Sequence, residues 1–201
     1  MRIAKSAKRV IVITGTPGVG KTSISREIAS SLDAELIEIG DLVKKERLYS
    51  GFDKKRQTFI ADMDKLSKRV RDTIKCTSKI DIIIVGHYAY DVIPADEISL
   101  VFVLRRHPEE IKKVLEERGY EEKKVWENVA AEILDVCLNE AVETCGLNKI
   151  CQINVTKKSL SEVVGRILQI LQQNGNRYFE KIDWLTTLEK DGRLEEYLKR
   201  F

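Results

Sequence analysis

The 201-residue sequence has only two histidines, His87 and His107, and four cysteines with no CxxC pair among them. Neither type approaches the other at zinc-ligand spacing, so these residues do not build a metal centre. Cys76, Cys137, Cys145 and Cys151 therefore read as small buried apolar residues of a reducing compartment. No apolar run nears the ~20 residues that span a bilayer. The stretch after the basic start MRIAKSAKR is too short for a signal-peptide core. A cytoplasmic protein with no membrane partner is expected. Net charge is scarce as well. Thirty-five Lys+Arg against 32 Asp+Glu leave +3, which gives no compositional argument for nucleic acid. No internal repeat or low-complexity segment is evident.

What is present is 43% hydrophobic residues, enough for a substantial core, laid out as alternating strand and helix signals. Continuous β-branched or apolar runs predict strands at Arg9–Thr14, Ala34–Ile39, Ile80–Val85 and Ser99–Leu104, with a weaker fifth at Ile150–Val155. Between them lie helical stripes at Lys21–Leu32, in the short segment GDLVKKERLY, and at Asp62–Lys75. A helix starts at Pro108 and runs to about Arg118, and a long one carries Val125, Val129, Ile133, Leu134 and Val136 to near Gly146. Ser159 and Glu162 form a capping box that opens a further helix, closed by Asn174-Gly175. Strands buried on both faces and alternating with helices specify a doubly wound α/β fold of about five parallel strands. Beyond Gly175 two short helices are expected, Asp183–Lys190 and Gly192–Phe201. Their apolar stripes (Trp184, Leu185, Leu188; then Leu194, Tyr197, Leu198, Phe201) are expected to pack on their own chain.

The sharpest chemical signal is Gly15-Thr-Pro-Gly-Val-Gly-Lys21-Thr22, a full match to GxxxxGK[ST] between a predicted strand and a predicted helix. Glycines there allow backbone N–H groups to turn toward phosphate oxygens, and the following helix aims its positive end at the same anion. Lys21 supplies a mobile charge for the β- and γ-phosphates, and the Thr22 hydroxyl can join a Mg²⁺ shell. The motif predicts a P-loop NTPase fold that binds a nucleoside triphosphate with Mg²⁺, with Gly15, Gly18, Val19, Gly20, Lys21 and Thr22 around the phosphates. Ligands of such sheets sit outside the carboxyl ends of the strands. Those ends carry Gly40, Asp41 and Lys44 after the second strand, His87 after the third, and Arg105-Arg106 at the fourth. Asp41 could orient a water on Mg²⁺, and Arg105 could meet phosphate charge.

The runs GTPGVGKTS, IEIGDLVKKERLYSGFD, VFVLRR and LEERGYEEKKVWENVAAEI, in this order over roughly residues 8–173, resemble the adenylate kinase isoenzyme 6 family. These are small P-loop nucleotide kinases also known as ribosome-assembly factors. The resemblance implies a kinase domain over residues 1–175, with a nucleotide-monophosphate flap at about 38–61 and a short lid at about 117–127. Residues 176–201 would then be a helical extension. It implies ATP held by Gly18, Gly20, Lys21, Thr22 and Ser23, and Arg118 as a catalytic lid arginine that also touches ATP, aided by Tyr120 and Lys124; Lys21 and the strand-end Arg105 would add catalytic charge. It implies AMP as acceptor, held by Gly40, Asp41, Lys44 and His87. It also implies a small-subunit ribosomal protein or pre-ribosomal RNA as partner, toward which the chain itself offers the basic start Arg2, Lys5, Lys8 and Arg9. Two positions depart from the family pattern: Val85 stands where an Asp is usual, and Lys44 where adenylate kinases usually have Arg. Three readings stay open: an adenylate kinase, an ATPase controlling ribosome assembly, and a kinase for another small substrate.

Overall fold

In a computed structural model, residues 8–54, 58–173 and 178–200 are described. Arg2, Lys5, Asn174-Gly175 and Phe201 lie outside them. In chain order the strands are β1 (Arg9–Thr14), β2 (Glu35–Glu38), β3 (Tyr49–Asp53), β4 (Thr58–Ala61), β5 (Asp81–Val85), β6 (Leu100–Arg105) and β7 (Ile150–Asn154). The helices are α1 (Lys21–Leu32), α2 (Ile39–Lys45), α3 (Met63–Cys76), α4 (Pro108–Glu117), α5 (Glu122–Ile133), α6 (Val136–Cys145), α7 (Leu160–Gln172), α8 (Trp184–Lys190) and α9 (Leu194–Leu198).

Five strands form one parallel sheet in the order β2-β5-β1-β6-β7. Side chains alternate between its faces, as the strand repeat of two requires. Ile11, Ile13, Phe102 and Leu104 face a core shared with α1, α4, α5 and α7. Val10, Val12, Val101 and Val103 face a second core under α2, α3 and α6. The capping box at Ser159 is formed: its hydroxyl accepts from the Glu162 N–H, and the Glu162 carboxylate accepts from the Ser159 N–H. The expected three-layer fold is the one observed.

Two elements differ from expectation. The long helix after Val125 breaks at Asp135, which adopts a left-handed conformation (φ 57°) that aspartate tolerates better than most residues. The break carries the chain from one face of the sheet to the other, because α5 packs in the first core and α6 in the second. Leu134, expected on the buried stripe, is left 52% exposed at that corner. The second difference is an antiparallel hairpin, β3–β4, in a stretch that gave no strand signal. Arg47, at φ 55°, turns the chain out of α2 and toward it. The hairpin is tied by aromatic pairs, Tyr49–Phe59 at 4.4 Å and Phe52–Phe59 at 5.2 Å between ring centres.

The segment after residue 177 is built into the molecule. Phe179 bridges to Gln152, and Glu180 bonds to both Gln152 and Asn154, covering the outer edge of β7. Trp184, Leu188 and Tyr197 are buried in the first core and Leu194 packs against it, as expected, whereas Leu185 is 39% exposed and the Leu198 side chain lies, like Phe201, outside the description. Of the cysteines, Cys137, Cys145 and Cys151 are buried, but Cys76 at the end of α3 is exposed, against expectation. Lys8 and Arg9 are also engaged internally, with the carbonyls of Thr77 and Lys79 and with the Asp81 carboxylate.

Candidate active site

The loop between β1 and α1 has the shape that phosphate cradling needs. Gly15, Gly18 and Gly20 all have positive φ (136°, 96° and 99°). A Cβ on Gly15 would lie 2.4 Å from the Leu104 carbonyl oxygen of the neighbouring strand, so only glycine fits there. Gly20 is the N-cap of α1 and no side chain caps that end, which leaves the helix terminus to an anion. Val19 anchors the loop by its side chain, 1% exposed in the first core. Its contribution to a ligand is confined to its backbone. Thr22 and Ser23 are exposed on the first turn of α1.

Lys21 lies back across the loop, its Nζ donating to the carbonyls of Gly15 (2.6 Å) and Thr16 (3.1 Å). Burial lowers its pKa to about 8, against the opposing pull of Cys137 and Glu132, and the charge of Arg118 lowers it further. Arg118 is exposed at the C-terminus of α4 and is close enough for its charge to register on Lys21. The adjoining turn contains Gly119 at φ 72°. Gly40, Asp41 and Lys44 are exposed along α2. His87 follows β5 and stacks edge-on against Tyr88, and its carbonyl accepts from the Thr14 hydroxyl. Desolvation in the crevice and then the Lys21 charge bring the His87 pKa to about 4, so the ring is neutral at pH 7 although one side is open to solvent.

Arg105 is a correction. Its guanidinium is 1% exposed and fully engaged. Nε donates to Glu132 at 2.8 Å, Nη1 to Gln152 at 3.0 Å, and Nη2 to the Glu132 carbonyl at 2.9 Å and to the Asp135 carboxylate. All three of its nitrogens are bonded within the protein and the group is closed off from the crevice by burial, so it is not presented to a phosphate. The reason is strand alternation: Arg105 shares a face with Val101 and Val103, the face that α6 covers. The next residue, Arg106, is the one that reaches the loop, bonding the Gly18 carbonyl at 3.2 Å while paired with Glu110 at 2.7 Å.

Sequence reasoning missed the centre of this arrangement, Glu132. Its carboxylate is 1% exposed and accepts from the Thr16 hydroxyl (2.6 Å), Arg105 Nε (2.8 Å), the Arg106 N–H (3.1 Å) and the Trp184 indole N–H (2.9 Å). A signal was available. Glu132 falls between Val129 and Val136, at helical spacing on an apolar stripe, where a carboxylate needs buried partners.

A Mg²⁺ ion bound with nucleotide normally keeps several waters and takes one or two protein oxygens plus phosphates. The exposed Thr22 hydroxyl fits that demand. Among the described residues no cluster of three or more His, Cys, Asp or Glu side chains could hold a metal by itself, and Val85 at the end of β5 is buried and apolar.

This sheet order, with a GxxxxGK[ST] loop joining the central strand to a helix, defines a P-loop NTPase. Residues 11–135 match the family described as an AAA domain, and the chain belongs to that family. It is 39% identical over 174 residues to a protein of Methanocaldococcus jannaschii named "Putative adenylate kinase", covering 87% of this chain and 92% of that one. A protein of the same name from Methanosarcina acetivorans is 37% identical over 166 residues, covering 81% and 86%. Among solved structures, shikimate kinase from Acinetobacter baumannii superposes with a TM-score of 0.59 at 13% identity, over 84% of this chain and 96% of that one. Thymidylate kinase from Candida albicans gives 0.54 at 14% identity, over 88% and 96%. These two likenesses concern the fold. Among the described residues no helix is long and apolar enough to cross a membrane.

Proposed function

We propose that the protein is an adenylate kinase, transferring the γ-phosphoryl group of ATP to AMP to give two ADP. The observation that carries this reading is the loop itself: three glycines at positive φ, an uncapped helix start, and Lys21 resting on carbonyls that phosphate oxygens would replace as its partners. The relatives named for adenylate kinase activity favour AMP as the acceptor.

In this mechanism the residues from Gly15 to Ser23 hold the ATP phosphates, through backbone N–H groups, Lys21 and the hydroxyls of the first turn of α1. The Thr22 hydroxyl would be the protein ligand of a Mg²⁺ ion, which would supply charge neutralisation at the phosphates. The flap, about residues 38–61, comprises α2 and the β3–β4 hairpin and offers Gly40, Asp41 and Lys44 to the monophosphate, with neutral His87 across the crevice. The lid, about 117–127, carries Arg118 onto the transferring phosphoryl group and displaces water from it. An oxygen of the AMP phosphate attacks the γ-phosphorus, and the bond to the β–γ bridging oxygen breaks. No protein nucleophile is required, because positioning and charge neutralisation supply the acceleration. Residues 1–175 form the kinase unit in this reading, and 176–201 its helical extension.

A part in small-subunit ribosome maturation, with a ribosomal protein or pre-ribosomal RNA as partner, extends the proposal on the strength of the family resemblance alone. The alternative is an ATPase of that pathway with little AMP kinase activity. Purified protein with Mg²⁺-ATP, with and without AMP and with Lys21→Ala as blank, separates the readings. Two ADP formed per ATP, only with AMP, is the expected result. Phosphate release independent of AMP would replace the kinase by the ATPase.

A further inference from the structure

The segment after residue 177 contributes a hydrogen bond to the interior of the candidate nucleotide site. The Glu132 carboxylate accepts from four donors, three converging on Oε1 and one on Oε2. One comes from the P-loop (Thr16), two from the exit of β6 (Arg105, Arg106) and one from α8 (Trp184). At 1% exposure no solvent is at hand to replace a lost partner. Thr16 is also one of the two residues whose carbonyls hold Lys21. The tail grips a second wall of the site as well. The Trp184 ring packs edge-on against His107 at 5.3 Å, and His107 Nδ1 caps α4 by accepting from the Glu109 N–H. Arg193 bonds the Glu109 carboxylate at 2.7 Å. The far end of that ten-residue helix is Arg118.

We infer that Trp184 is a positioning residue of the nucleotide site: acting through Glu132 on Thr16, it couples docking of the C-terminal helices to binding of nucleotide phosphates in the P-loop. The inference rests on the nucleotide-binding part of the function proposed above. Coupling of this kind is reciprocal: a docked tail favours the phosphate-ready loop, and bound nucleotide tightens the tail by the same factor. A tail that merely completes the core would lend stability and leave nucleotide affinity alone.

The test compares Trp184→Phe, which keeps an aromatic ring and loses the indole donor, with Leu188→Ala, which removes buried volume from the same helix without touching Glu132. Both are assayed well below their melting temperatures, by direct titration with ADP and with a non-hydrolysable ATP analogue. Trp184→Phe is expected to weaken nucleotide binding by about fivefold or more, and Leu188→Ala to lower the melting temperature with affinity kept. In ¹⁵N-tryptophan-labelled protein, the indole signal that Trp184→Phe abolishes is expected to move on adding ADP and to stay still in Thr16→Val. Losses of affinity in Thr16→Val and Trp184→Phe are expected to be non-additive in the double variant. Wild-type affinity in Trp184→Phe, or an indole signal indifferent to ADP, overturns the coupling alone. Failure of the wild-type protein to bind nucleotide overturns the proposed function and this inference together.

Discussion

Replacing Arg105 and replacing Arg118 should have opposite signatures, although both are arginines near one crevice. Arg105 and its partner Glu132 are each 1% exposed, and Asp135 is 34% exposed. Arg105→Met leaves Glu132 with three neutral donors and no opposing charge within hydrogen-bond reach. Breaking a buried pair by removing one member costs about 3–5 kcal/mol. For a chain of this size each kcal/mol shifts the melting temperature by about 2–4 °C, so a fall of about 6–20 °C is expected. Turnover per folded molecule, measured below that melting point, should stay within about tenfold of the parent, because the buried Arg105 guanidinium does not face the substrate. Arg118 is exposed at a helix end, so Arg118→Ala should move stability by less than about 0.5 kcal/mol. Its loss should lower ATP–AMP phosphotransfer by about a thousandfold, as for other arginines that meet a transferring phosphoryl group. Differential scanning calorimetry and a coupled ADP assay on the two variants decide the matter. The double variant Arg105→Met/Glu132→Gln should be less destabilised than the sum of its parts, since both charges are gone. An Arg105→Met protein that melts with the parent yet loses turnover would refute the buried-cage assignment.

Three further outcomes are expected. Burial holds the Lys21 pKa at about 8 in the nucleotide-free protein, and phosphates bind its cationic form. Raising the pH therefore deprotonates the free protein and weakens ATP binding, by about 25-fold between about pH 7.5 and 9.5, as titration calorimetry would register; a flat profile over that range contradicts it. Gly15→Ala puts a methyl 2.4 Å from the Leu104 carbonyl oxygen at a φ of 136°, so it should lower the melting temperature by at least about 5 °C and abolish binding of fluorescent ATP analogues. Ser159→Ala removes half of the capping box of α7 and should cost about 2–4 °C in thermal melts while the ADP assay reads parental turnover.

The parts of the fold legible in the sequence were those where one short segment carries its own signal. VIVI, IDIII and SLVFVL are continuous apolar runs because strands covered on both faces demand them, and the GxxxxGK[ST] spacing contains its own chemistry. The β3–β4 hairpin lacked such a signal. Phe52, Phe59 and Ile60 are exposed, so no buried face imposed an alternation, and the left-handed turn at Arg47 leaves no mark in composition. The break at Asp135 was hidden for a different reason: the apolar positions on either side keep helical spacing, while the two halves belong to different cores.

The site divided along the same line. Phosphate-binding residues adjacent in sequence could be named, but the Glu132 cage joins residues 16, 105, 106, 132, 152 and 184, and spacing carries no information about such a set. Period-two alternation from Val101 through Val103 already turns Arg105 toward a covered face and leaves Arg106 for the loop. The cage also bears on Val85. The carboxylate whose charge registers on Lys21 is Glu132, and it is buried among the donors Thr16, Arg105, Arg106 and Trp184. With Val85 apolar at the end of β5, the acid of this site serves to fix the loop. In the proposed mechanism, charge neutralisation at the phosphates would fall to Lys21, Arg118 and an ion held through Thr22.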